Sequence, residues 1–141
     1  MSEWTPDESH RLWRRTDAVD RVLAAALALP DDAAPAPVIS HGDLHVRHIL
    51  VNPAGAVTGI IDWGDICRGD PAIDLAIAFS AFSGGARQAL IDAYGGLSRA
   101  QELRGRVLAI FLSATLLLWA HDSGMETLEF EARAGLERAA N

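Results

Sequence analysis

Lysine does not occur in this 141-residue chain; all twelve basic residues are arginine. Nineteen acids outweigh them and leave a formal net charge of -7. That balance argues against a nucleic-acid partner, because phosphate backbones are held by basic surfaces. Cysteine is almost missing as well, and the single Cys67 excludes an internal disulfide. The opening residues, MSEWTPDESHRLWRR, lack the apolar stretch of a secretory signal, so the expected location is cytoplasmic. The run Val107 to Ala120 is apolar for fourteen residues, short of the roughly 20 that a membrane-spanning helix needs. With Arg104 and Arg106 before it and His121-Asp122 after it, it reads as a buried core helix, and no membrane partner is expected.

What is present is apolar and helix-rich. Half of the residues are hydrophobic, enough for one domain spanning residues 1–141. Thr5-Pro6-Asp7-Glu8 has the form of a capping box, and Leu12, Val19, Val22, Leu23, Ala26 and Leu27 continue at helical spacing. The stretch PDDAAPAP ends that helix and leads to a short strand at Val38-Ile39. Two apolar runs, His48 to Val51 and Val57 to Ile61, flank Asn52-Pro53-Ala54-Gly55-Ala56 and predict a hairpin. Asp70-Pro71 then opens a central helix over Ala72 to Phe82, with Asp70 as its cap. Gly84-Gly85 and Gly95-Gly96 bracket a helix over Ala86 to Tyr94. Ser98 and Gln101 cap a long helix, and Met125 to Ala139 makes the last one. The expected class is α+β, mostly helical, with one small catalytic hairpin.

The hairpin carries the chemistry. Asp43 precedes its first strand and Asp62 follows its second, so antiparallel pairing brings both carboxylates to one edge. Two acids in one small volume repel, and a divalent cation removes that penalty. His48 lies on the same edge and offers a nitrogen donor, whereas His45 has no assigned role. Asp65 and Arg68, near the second acid, read as solvated. A zinc hydrolase built from His41, Asp43, His45, His48 and Asp62 is a weak reading, since the sequence shows no closely spaced three-ligand set. Asp122, Glu126, Glu129 and Glu131 form an acidic region that reads first as a charged solvated face and second as a receptor for a cationic amine.

Three motifs in order carry a resemblance: His41-Gly42-Asp43-Leu44-His45, Ile60-Ile61-Asp62-Trp63-Gly64-Asp65, and Gly69-Asp70-Pro71-Ala72-Ile73-Asp74-Leu75-Ala76. Together they resemble the aminoglycoside phosphotransferase family, protein-kinase-like enzymes that phosphorylate small molecules. The resemblance implies the C-terminal lobe of such a kinase, transferring the γ-phosphate of ATP or GTP to a hydroxyl of a small molecule, with a cationic antibiotic such as an aminoglycoside, or a macrolide, as the expected kind of acceptor. It implies Asp43 as the catalytic base and Asp62 as a magnesium ligand within the nucleotide site. His48 stands where asparagine is usual, and in this it is similar to macrolide kinases and kinases of the aminoglycoside 2''-hydroxyl; it is expected in the metal shell. His41 and Asp74 are expected to support the catalytic loop, Asp74 by accepting backbone amides.

Such kinases also have an N-terminal lobe with a nucleotide-covering loop and a phosphate-anchoring lysine. No glycine-rich strand-turn-strand precedes Asp43 and no lysine exists in the chain. The expectation is therefore a lobe lacking its N-terminal partner, inactive or weakly active alone. Its uncovered apolar surface suits the missing lobe or a homo-oligomer. The alternative is a non-catalytic lobe that binds ligand or dimerises.

Overall fold

A computed structural model describes residues 13–30 and 35–141. Among the described residues, five helices and four short strands follow one another: α1 (Asp17–Leu27), β1 (Val38–Ser40), β2 (Ile49–Val51), β3 (Val57–Ile60), β4 (Cys67–Gly69), α2 (Ala72–Ser80), α3 (Gly84–Tyr94), α4 (Arg99–Asp122) and α5 (Glu126–Ala140). Two single-turn 3-10 helices, Val46–His48 and Trp63–Asp65, sit on either side of the β2–β3 hairpin. The class is α+β, mostly helical with two small antiparallel sheets.

The expected capping box at Thr5 lies outside the described residues. Residues 13–16 are not helical, so α1 is not a continuation of a helix begun at Thr5. Its cap is Thr16, whose hydroxyl accepts from the Val19 amide at 3.4 Å. Asp17 and Asp20 in the first turn complement the helix dipole. The Ser98 box forms as expected: Ser98 Oγ accepts from Gln101 N, and Gln101 Oε1 accepts from Ser98 N. One glycine pair differs from expectation. Gly84 begins α3 rather than breaking the chain before it, while Gly95, at φ 105°, ends it.

The core is helical and built on small side chains. Ala76, Ala78, Ala109 and Ala139 have no exposed surface, and Phe79, Leu117 and Leu136 fill the space between them. Close approach is enforced by glycine: a Cβ at Gly105 of α4 would lie 2.8 Å from the Phe79 ring, and one at Gly135 of α5 would lie 2.7 Å from Ser113 Oγ. α4 packs against α1, α2 and α5. It is long and apolar enough in its central window to cross a membrane, yet it runs through this core. Burying one such leucine contributes about 1.5–3 kcal/mol, so the helices carry the stability.

The hairpin β2–β3 pairs Ile49 with Ile60 and Leu50 with Gly59, and slips by a bulge at Val51. Asn52 closes its turn, its side-chain oxygen accepting the Ala54 and Ala56 amides. β4 was not anticipated. It pairs antiparallel with β1, Ser40 opposite Cys67, and thereby draws the segment after Asp62 back to the start of the HGD loop. His48 lies in the 3-10 turn ahead of β2, one residue before the strand in which it was expected.

Candidate active site

The loop His41-Gly42-Asp43 leaves β1 and immediately meets the start of α2. Asp74, in the first turn of that helix, accepts the His41 amide at 2.6 Å and the Gly42 amide at 3.1 Å. A carboxylate gripping two consecutive amides forms charge-assisted bonds, roughly twice as strong as neutral ones. The glycine between them is required: its φ is +92°, and a Cβ there would meet the Asp65 carbonyl oxygen at 2.1 Å. The same helix start is held by Asp70, which accepts the Ala72 amide and pairs with Arg104 of α4, both at 2.8 Å. The cap was legible in the sequence, the pairing to Arg104 was not.

Two histidines then pin the acids. His41 is 2 % exposed, and its Nε2–H donates to Ile61 O at 2.8 Å while its Nδ1 accepts from Asp43 N at 3.3 Å. Both ring nitrogens are satisfied by backbone, which makes it a structural residue. The Nδ1–H of His48 donates to Asp43 O at 2.7 Å, and the His48 carbonyl accepts from Ile61 N at 3.0 Å. The backbone of Asp43 is therefore held on both sides by imidazoles, and the same two histidines hold Ile61, the residue before Asp62. Trp63 closes the arrangement, its ring 4.7 Å from that of His41 and its indole N–H donating to Ile60 O.

Of the corner expected of Asp43 and Asp62, the structure shows His48 touching the Asp43 carbonyl on one side and approaching the Asp62 carboxylate on the other. Its Nε2 is the nitrogen left free, and it lies 3.4 Å from Asp62 Oδ2. Asp62 has φ 64°, the one non-glycine residue with positive φ among those described, and its side chain is mostly exposed. A strained backbone under an exposed carboxylate points to a function that offsets the cost of about 1–2 kcal/mol. Asp43 is also open to solvent, its side chain 42 % exposed. Asp65 and Arg68 stand in the exposed stretch after Asp62, as expected of solvated residues.

His45, which the sequence left without a role, is part of this cluster. Its Nε2 lies 3.7 Å from Asp43 Oδ2, and its ring centroid is 3.8 Å from that of His48. Burial, and then the neighbouring His48, hold its imidazole below the usual histidine pKa. The signal was the three-residue spacing of His45 and His48, which superposes side chains in a 3-10 turn.

Beside the cluster opens a cleft of about 590 Å³, lined by Arg47, Met125, Glu126, Thr127, Leu128 and Glu131. Arg47 stacks on Trp119 of α4 at 4.6 Å from the ring centroid, fixing one wall. Within the acidic region near the C-terminus, Glu129 pairs with Arg133 and His121, and Glu131 pairs with Arg138. Those contacts also hold the Glu129 carboxyl below its ordinary pKa.

The sequence profile of the phosphotransferase enzyme family called APH matches residues 2–107. The chain belongs to that family. Among curated relatives of this phosphotransferase chain, viomycin phosphotransferase of Streptomyces vinaceus is 33% identical over 97 residues, covering 67% of this chain and 27% of the relative. The uncharacterized protein YcbJ of Bacillus subtilis (strain 168) is 39% identical over 54 residues, 38% of this chain and 18% of its own length. A solved structure of macrolide 2'-phosphotransferase type I is 33% identical and superposes with a TM-score of 0.46 over 92% of this chain and 44% of that one. The chain thus spans between about a fifth and under half the length of these relatives.

Proposed function

We propose that this chain is the catalytic, C-terminal lobe of a protein-kinase-like phosphotransferase that moves the γ-phosphate of ATP or GTP onto a hydroxyl of a small molecule. The observation that carries the reading is the anchoring of the Asp43 backbone and of Ile61, the residue before Asp62, by His41 and His48, with His48 Nε2 3.4 Å from the Asp62 carboxylate. In-line phosphoryl transfer is a problem of position and charge, and a rigid pair of acids at one corner answers it. Asp43 accepts the proton as the acceptor oxygen bonds to the γ-phosphorus and the bond to the bridging oxygen breaks, releasing the nucleoside diphosphate.

Asp62 and His48 fit a magnesium ion. One exposed carboxylate and one free imidazole nitrogen leave most of an octahedral shell for water and phosphate oxygens, the way this ion usually binds. Bound magnesium neutralises charge on the transferring phosphate. The chain's own contribution is to hold that carboxylate through the left-handed turn at Asp62 and to keep His48 Nε2 bare by engaging Nδ1 at Asp43 O.

The cleft between Arg47 and the start of α5 is our candidate for the acceptor site. It adjoins the catalytic loop, and Glu126 suits a cationic group on an antibiotic. Viomycin phosphotransferase and the macrolide enzyme make such hydroxyl-bearing antibiotics the first substrates to try. The exposed apolar side chains Ile39, Val51, Val57, Ile61, Trp63 and Ile66 form the surface that a nucleotide-anchoring lobe, or a second copy of this chain, would cover.

The test is transfer of labelled γ-phosphate to viomycin and to macrolides, by the chain alone and joined to the nucleotide-binding lobe of a family member. Replacing Asp43 by asparagine should lower the rate by about 10²–10⁴-fold, the usual contribution of a general base. Equal rates in both proteins would remove Asp43 from the chemistry.

A further inference from the structure

We propose that Asp43, His45 and His48 form a second cation site, selective for zinc and similar transition metals, whose occupation blocks the catalytic base. A closely spaced three-ligand set was not expected from the sequence, but the structure assembles one: one ligand atom from each of these residues lies within 4.8 Å of the others, and no other such group of histidine, cysteine or acid residues occurs among those described. This donor set differs from the magnesium pair, sharing only His48. Its composition, two imidazoles and one carboxylate, suits zinc, nickel or copper and is poor for magnesium, which prefers oxygen. Three protein ligands with an open fourth position is the pattern of accessible zinc sites.

The geometry is close to what zinc requires. Bonds of 2.0–2.1 Å at tetrahedral angles place ligand atoms about 3.3 Å apart, so the three side chains need only close inward. His48 is prepared for this, because Nδ1–H is engaged at the Asp43 carbonyl and leaves Nε2 as the ligand atom. Backbone carbonyls commonly orient metal-bound histidines in this manner. His45 must exchange tautomer. Its Nδ1 accepts from Arg47 N at 3.3 Å, so its Nε2 proton has to leave to solvent and another be taken up at Nδ1, at the loss of that one long bond. The net proton count of the ring does not change.

The inference rests on the phosphotransferase reading for its consequence but not for the binding itself. A metal held by Asp43 occupies the oxygen that would accept the acceptor proton, so zinc should inhibit transfer and a chelator should restore it. Binding is measured separately, by titrating the metal-free protein with zinc against a chromophoric chelator and with cobalt(II) by visible absorption. Wild type should bind one zinc and give a tetrahedral cobalt band. His45→Asn should weaken zinc by on the order of 100-fold, the upper end of what even outer partners of a metal site cost. Asp62→Asn should weaken zinc clearly less than His45→Asn, since its carboxylate touches His48 but is outside the ligand set. A thermal melt of each variant shows that the fold is intact.

Zinc binding unchanged in His45→Asn, or no zinc bound by wild type, overturns the proposal. Zinc lost in Asp62→Asn to the same degree as in His45→Asn also overturns it, because the metal would then sit at the magnesium pair. Binding through His45 without any phosphate transfer would sink the kinase reading and leave the metal site standing. Transfer that proceeds at full rate with zinc bound would overturn the proposed block of Asp43 and leave the kinase reading standing.

Discussion

Around Phe79 the helices meet through alanine and glycine, with rings and guanidinium groups stacked tightly: Arg87 and Arg106 both lie over its face, 5.3 and 5.0 Å from the centroid. Between Ile39 and Ile66, the chain instead displays branched apolar side chains and a tryptophan to solvent on strands of three or four residues. The first region buries its apolar area around Phe79, although Phe111 and Phe130 on the same helices stay exposed. The second cannot, because two-stranded ribbons have only marginal stability alone. It is tied to the first by Asp74, which accepts the His41 and Gly42 amides, and it is braced within itself by the hydrogen bond from His41 to Ile61. Stability and chemistry are thus separated, and the acids of the site stand on the side that packs least.

Substitutions can break or sharpen this contrast. The largest effect belongs to the helical side, where Leu117→Ala should cost about 3–4 kcal/mol in denaturant unfolding, as buried leucine truncations do. Gly42→Ala should cost about 3 kcal/mol, combining a left-handed backbone with a Cβ forced onto the Asp65 carbonyl. Its loss should be local, with amide exchange quickening in the loop before the helices. Asp74→Asn comes next at about 2 kcal/mol, because one charge-assisted acceptor pair becomes at best one neutral bond. Ile39→Thr should change stability by no more than about 0.5 kcal/mol, since the side chain is already 77 % exposed. A cost above 2 kcal/mol there would mean that the ribbon face is covered in solution, and the contrast drawn here would fail.

The sequence made the locally specified parts legible. The hairpin showed itself through Asn52-Pro53-Ala54-Gly55, the long helix through Ser98 and Gln101, and the site through the spacing of Asp43, His48 and Asp62. It was silent where distant segments decide. β4 is three residues, Cys67-Arg68-Gly69, with no periodicity, and it is a strand only because β1 lies alongside. The cap of α1 at Thr16 also escaped notice, because its hydroxyl accepts from Val19 N with no motif to mark it. The positive φ of Asp62 and the contact of His45 with Asp43 also arise from tertiary structure. The motifs pointed to the acids, and the geometry shows two histidines holding the Asp43 backbone and Ile61, next to Asp62.

The central claim assigns different duties to the two acids that share this corner. The most direct test is the magnesium dependence of γ-phosphate transfer in the lobe-supplemented protein, compared among wild type, Asp43→Asn and Asp62→Asn. Asp43→Asn should lower the rate at saturating magnesium and leave the half-saturating concentration nearly unchanged. Asp62→Asn should raise that concentration by about tenfold or more, as loss of a metal contact does. Indistinguishable magnesium curves for wild type and Asp62→Asn would contradict the account.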